Sequence, residues 1–93
     1  MIRGFKDRAT EAVFRGECPK GFPADLVKVA RRKLGYLDAA IDLRDLRMPP
    51  GNHLEALIAD RRGYHSIRVN DQFRICFRWT PQGPTDVEIT DYH

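Results

Sequence analysis

The chain has 93 residues, 42% hydrophobic and 31% charged, with five Phe, three Tyr and one Trp. That fills one small core and leaves no room for a second, so a single folded domain over residues 1–93 is expected rather than a disordered chain. Sixteen Lys and Arg against thirteen Asp and Glu leave a net charge of +3, too mild for a polycationic tail, so the placement of the arginines matters more than their sum.

The apolar runs fall far short of the ~18 residues a membrane span needs, and no signal-peptide core follows Met1-Ile2-Arg3. Two cysteines, Cys18 and Cys76, form neither a disulfide framework nor a metal spacing. A cytoplasmic protein without membrane contact, metal or cofactor is the expectation.

Ile2-Arg3-Gly4-Phe5 alternates as a short first strand would, and Asp7 or Thr10 can cap a helix ending at Gly16. After the connector from Cys18 to Pro23, Leu26, Val27, Ala30, Leu34, Leu37 and Ile41 recur at helical spacing. Pro23 suits the first helical position, and Arg31-Arg32-Lys33 reads as a solvated helix face. Residues 42–47 add one more turn, and Met48-Pro49-Pro50-Gly51-Asn52 ends the helical region.

From Leu54 the period falls from about 3.6 to 2. Strands are expected over 53–58, 64–69, 72–80 and 85–91, separated by Asp60-Arg61-Arg62-Gly63, Asn70-Asp71 and Pro81-Gln82-Gly83-Pro84. The order β-α-α-β-β-β-β makes an α+β domain with two helices packed on one face of a mainly antiparallel sheet.

Register then places the polar side chains. Ile67 and Val69 must share the covered face with Phe73, Ile75, Phe77 and Trp79, which requires 69 to pair with 73 and sets Arg68 opposite Arg74. Two like charges facing each other do not favour folding, whereas an anionic ligand would favour them. Tyr64, Ser66, Cys76 and Arg78 fall on the same open face, and His65 on the covered one. Cys76 reads as a packed strand residue rather than a nucleophile. Aligning Val87 with Trp79 and Ile89 with Phe77 brings Tyr92 opposite Arg74, so Arg68, Arg74 and Asp91-Tyr92-His93 gather at one end of the sheet. Strict alternation gives Asp91 and His93 the covered parity, which leaves their direction open.

Such a cluster suits cleavage of RNA by its own 2′-hydroxyl, which needs a proton acceptor, a proton donor for the departing 5′-oxygen and positive charge on the phosphate. His93 titrates near neutrality, Asp91 can take or orient a proton, and Tyr92 can stack on a base or stabilise the phosphate. Arg68 and Arg74 can grip phosphate bidentately, and Arg61 and Arg62 can track the backbone. By itself a terminal Asp-Tyr-His reads as a solvated tail, and His53, where a loop meets a strand, as simple surface.

The chain resembles the HigB-type toxins of bacterial toxin-antitoxin systems, within the RelE/ParE superfamily, nearly end to end. The resemblance is carried by Met1-Ile2-Arg3-Gly4-Phe5, Arg32-Lys33-Leu34, Leu43-Arg44-Asp45-Leu46, Pro49-Pro50-Gly51-Asn52, Gly63-Tyr64-His65-Ser66-Ile67-Arg68-Val69-Asn70, Phe73-Arg74-Ile75-Cys76-Phe77 and the closing Asp91-Tyr92-His93. It implies a small RelE-like ribonuclease fold and a ribosome-dependent endoribonuclease that cuts translated mRNA without metal. It also implies a cognate helix-turn-helix antitoxin, with operator DNA bound only through that partner. The family's strand arginine matches Arg74, and its closing acid, aromatic and histidine match Asp91, Tyr92 and His93.

Two departures accompany the resemblance. Some members carry a catalytic histidine where this chain has Glu55, and either Glu55 or the nearby His53 can stand in. The usual Lys-Gly-Asp turn reads Ile58-Ala59-Asp60, one basic group fewer. Tyr64, Arg68, Arg61, Arg62 and His53 are the expected RNA-binding groups beside Arg74, Asp91, Tyr92, His93 and Glu55. The competing readings are a non-catalytic toxin on the same scaffold, such as a gyrase-inhibiting protein, and an inactive RNA-binding domain, because one fold hosts many functions.

Overall fold

The computed structural model describes residues 1–57 and 63–91 of the chain. Within them, helix α1 spans Arg8–Phe14 and helix α2 spans Val27–Ala39. Asp7 is the cap of α1: its carboxylate accepts the Thr10 backbone N–H at 2.7 Å, satisfying one of the orphan donors of the first turn. The helix gives way to Gly16, at φ +90°, as expected. Pro23 precedes a 3₁₀ turn at Ala24–Leu26 that leads into α2, so the long helix starts four residues later than its proline suggested. It also stops earlier, and Ile41, expected on the apolar stripe, lies 92% exposed beyond its end. Asp42 and Asp45 form a capping box on the 3₁₀ segment Leu43–Arg47.

Strands β1 (Glu55–Ala56), β2 (Tyr64–Arg68), β3 (Phe73–Thr80) and β4 (Gly83–Asp91) form an antiparallel sheet in sequence order. Strand β1 is shorter than expected because His53 takes a left-handed conformation, φ 44°, which breaks the extended chain. The predicted first strand at residues 2–5 is not a strand. Phe5 makes an isolated parallel bridge to Val87, while the Ile2 N–H is drawn away from the sheet to the Asp38 carboxylate at 2.9 Å. Even so, this segment lines the edge of β4 through Arg3 N–H to Pro84 O at 2.8 Å and Lys6 N–H to Val87 O at 2.9 Å.

The β2–β3 register is the expected one, with Ile67 opposite Ile75 and Arg68 opposite Arg74. The β3–β4 register is not. The turn is two residues, Pro81-Gln82, with Thr80 opposite Gly83, and an irregularity between Cys76 and Arg78 makes both Asp86 and Val87 oppose Phe77. Arg74 therefore faces Thr90, two positions before the Tyr92 that the sequence register set against it, and Asp91 faces Phe73. The expected four-residue separator, Pro81 to Pro84, is thus half as long, and Pro84 lies within β4. It fits the strand because β4 lies at the sheet's edge, where a missing N–H costs no ladder bond.

Helices and sheet enclose one core. Val13 of α1 and Ala30, Leu34 and Leu37 of α2 pack with Leu46, Ile67, Ile75, Phe77 and Val87. Each large side chain removed from water here contributes about 1.5–3 kcal/mol. His65, on this covered face as expected, stacks on Phe77 with centroids 6.1 Å apart. Lys33 departs from the solvated-face reading: it is only 6% exposed. Its ammonium donates to Asn52 Oδ1 at 2.6 Å, and burial, then the charges of Arg32 and Arg68, holds its pKa below the usual 10.5. Asn52 Nδ2 in turn donates to the carbonyls of Leu46 and Met48, each at 3.2 Å, tying the 43–52 connection to α2.

Two measurements check this packing. Asn52→Ala strips a buried ammonium and two carbonyls of their partner and is expected to lower stability by roughly 2–3 kcal/mol in urea titrations; an unchanged midpoint contradicts the tie. Burial also holds the His65 pKa below its ordinary 6.5. The unfolded chain therefore binds the extra proton first, and stability is lost as pH falls through 6.5 toward the lowered folded value. His65→Phe keeps the stack and should flatten that slope; an unaltered slope assigns it to other groups.

Candidate functional site

The sheet face turned away from the helices carries three cross-strand rows. Arg68, Arg74 and Thr90 form one, Glu55, Ser66, Cys76 and Glu88 the next, and Tyr64, Arg78 and Thr85 the third. Alternation puts these residues on one surface because the partners Ile67, Ile75 and Phe77 are held in the core. Ser66 and Cys76 are nevertheless fully buried, beneath a face otherwise built of long polar side chains.

Arg74 is the most tightly held of the cations. Its Nε donates to Ser66 Oγ at 2.8 Å, and its Nη2 donates to the His53 carbonyl at 2.6 Å and to the Ser66 carbonyl at 3.4 Å. Glu55 Oε1 lies 3.9 Å from Nη2. Only 11% of the Arg74 side chain is exposed, against 59% for Glu55. A planar guanidinium held along one edge is pre-oriented, with little rotamer freedom left to lose when an anion arrives.

Arg68, directly opposite, pairs instead with Asp71. The two facing arginines are thus each met by a carboxylate, Asp71 and Glu55. That removes the premise that only a ligand could offset their repulsion.

The other expected site residues divide clearly. His53 reaches Arg74 through its backbone carbonyl, which the left-handed turn aims at the guanidinium. Glu55 joins through its side chain. Tyr64 lies farther along the face, where its hydroxyl donates to Asp86 Oδ2 at 2.8 Å; that bond, with burial and the negative charge of Asp86 adding, raises the phenol pKa above 10.0. Asp91 accepts from Gln72 Nε2 at 2.9 Å, on the covered parity that strict alternation gave it. Arg61, Arg62, Tyr92 and His93 lie outside the described residues. Among the described residues no three His, Cys, Asp or Glu side chains gather as a metal site.

Two participants were missed from the sequence. Ser66 was placed on this face without a role, although a small hydroxyl one row from Arg74 is what a guanidinium edge needs. Asp86 was given no role, although its even position shares the open-face parity of Glu88 and Thr90.

With that geometry in place, the comparison with known proteins is decisive. The model of the HigB-like toxins, described as the RelE-like toxin of type II toxin-antitoxin system HigB, matches residues 3–93. The chain belongs to the HigB-like toxin family. Toxin HigB-1 of Vibrio cholerae is 41% identical over 80 residues, covering 85% of this chain and 84% of that protein. Endoribonuclease HigB of Proteus vulgaris is 30% identical over 93 residues, the full length of both. An uncharacterized protein of Haemophilus influenzae is 41% identical over 64 residues, or 69% of this chain and 63% of its own. Membership in the HigB-like toxins implies an antitoxin partner. Among the described residues no helix is long and apolar enough to cross a membrane.

The hold on Arg74 is open to test. Ser66→Ala leaves the Nε without its buried acceptor and is expected to cost about 1–3 kcal/mol of stability, with broadened or shifted Arg74 Nε–H resonance in NMR spectra. Native stability together with an unmoved resonance contradicts the assigned role of Ser66.

Proposed function

We propose that this HigB-like toxin is a ribosome-dependent mRNA endonuclease in which Arg74 grips the scissile phosphate. The observation that carries the reading is the hold on that guanidinium, fixed along one edge by Ser66 and the His53 carbonyl beside a loosely paired, exposed Glu55. An incoming phosphate exchanges for the Glu55 carboxylate and gains a fixed cation. Charge that develops on the crowded phosphorus is stabilised most by donors already oriented before it forms. The name of the Proteus vulgaris relative, an endoribonuclease, supports the same chemistry.

In the proposed reaction the 2′-oxygen attacks the adjacent phosphorus as the bond to the 5′-oxygen breaks, leaving a cyclic phosphate and a free 5′-hydroxyl, without a metal ion. The 2′-hydroxyl proton passes to a general base, for which Glu55 is the carboxylate at hand and the His53 imidazole the alternative. The departing 5′-oxygen takes a proton from His93, imidazole being the side chain suited to proton transfer at neutral pH, while Asp91 orients it and Tyr92 stacks on a base or supports the phosphate. Arg68, Arg61, Arg62 and Tyr64 hold the flanking RNA. The ribosome supplies the in-line pose of the message. The partner is a helix-turn-helix antitoxin, through which alone operator DNA is bound, and the setting is the cytoplasm.

A translation reaction with primer extension on the message, run for the parent, Arg74→Ala and His93→Ala, tests this. Loss of one oriented cation is expected to lower cleavage by about 10²–10³-fold, and loss of the titrating group by about 10²–10⁴-fold. Equal cleavage by all three proteins overturns the assignment. An intact message together with a DNA supercoiling defect favours the non-catalytic, gyrase-directed reading.

A further inference from the structure

The row Tyr64, Arg78 and Thr85 lies on the same face as Arg74, at the other end of β3. Arg78 sits four residues along the strand from Arg74, a separation of about 13 Å at ~3.3 Å per residue. It is exposed, and among the described residues no hydrogen bond or ion pair engages its guanidinium. Tyr64 is its direct cross-strand partner, close enough for ring and guanidinium to border one site.

The neighbouring carboxylates are both committed. Asp86 Oδ2 accepts the Tyr64 hydroxyl at 2.8 Å, and Glu88 Oε1 meets the Lys6 ammonium at 3.4 Å. The placement of Asp86 is costly to the backbone. It takes φ 52°, a left-handed conformation uncommon outside glycine and better tolerated by Asp and Asn than by other side chains. It is also the extra residue that opposes Phe77. Asp86 shares the even, open-face parity of Glu88 and Thr90, and its carboxylate meets the phenol beside the bulge.

We propose that Tyr64 and Arg78 form a second subsite for single-stranded RNA, a nucleobase stacking on the phenol ring while its phosphate meets Arg78, with Asp86 as the positioning residue that fixes the ring. This rests on the nuclease reading above and extends it along the strand. A tethered ring presents a fixed plane to any base, and an exposed cation beside it adds sequence-independent attraction to the backbone.

The test measures binding of a labelled single-stranded RNA oligonucleotide by fluorescence anisotropy across a salt series, and message cleavage in the translation reaction. Arg78→Ala, at an exposed position, should weaken binding several-fold and reduce the slope of log affinity against log salt by about 0.7, one phosphate contact. Asp86→Gly accepts the left-handed backbone while losing the carboxylate. It should raise KM about fivefold, the lower end of what one base stack contributes, with a smaller fall in kcat. Asp86→Asn keeps both the conformation and an acceptor oxygen and should restore KM. If Arg78→Ala and Asp86→Gly bind and cleave like the parent while Arg74→Ala abolishes cleavage, the second subsite is refuted and the nuclease site stands. If Arg74→Ala also cleaves normally, the nuclease reading falls as well. Failure of Asp86→Asn to rescue Asp86→Gly overturns the positioning role.

Discussion

The turn between β2 and β3 is the constraint on which the rest of the site depends. Asn70 Oδ1 accepts the backbone N–H groups of Gln72 and Phe73 at 2.9 and 2.7 Å, and the Val69 N–H closes on the Phe73 carbonyl at 3.0 Å. Those bonds set which residue faces which across the hairpin. A slip of one position would carry Ile67 into solvent and Arg68 into the core, or Ile75 into solvent and Arg74 and Arg78 into the core. The cost of burying a guanidinium without partners makes that alternative prohibitive. The same register that builds the core therefore assembles the polar face, and stability and chemistry are specified by one hairpin.

A second line of support reaches Arg74 from the opposite side of the domain. Lys33 on α2 holds Asn52, Asn52 holds the carbonyls of Leu46 and Met48, and the residue after Asn52 is His53, whose carbonyl takes the Arg74 Nη2. A buried ammonium is an expensive way to anchor a loop unless its partner is well placed, and here the partner is an amide 2.6 Å away. The left-handed turn at His53 ends the approach to β1 and at the same moment points a carbonyl at the site. Backbone strain and site geometry coincide at His53, and again at Asp86, where a second left-handed residue aims a carboxylate at Tyr64.

Much of this was legible in the chain. Alternation from Ile67 through Trp79 required the pairing of Arg68 with Arg74, and the helix stripe Ala30, Leu34, Leu37 marked the covering layer. The errors have definite physical origins. Residues 81–84 were read as the separator, but at an edge the missing N–H of Pro84 breaks nothing, and the turn shortened to Pro81-Gln82. Ile41 continued the helical spacing in sequence, yet Asp42 and Asp45 cap a separate turn and leave it in solvent. Lys33 looked like one more surface cation because nothing local reveals an asparagine brought to it from nineteen residues away.

The sequence by itself determined the α+β class, the face each β2 and β3 residue occupies and the opposition of the two arginines, because these follow from periodicity and from the cost of exposing apolar side chains. Only the tertiary structure decided that Arg74 rests on Ser66 and the His53 carbonyl, that Asp71 and Glu55 answer the paired charges, and that Asp86 holds Tyr64. Those contacts depend on bulges, left-handed turns and loop approaches, whose free-energy differences are small beside the hydrophobic term and are settled only when distant segments meet.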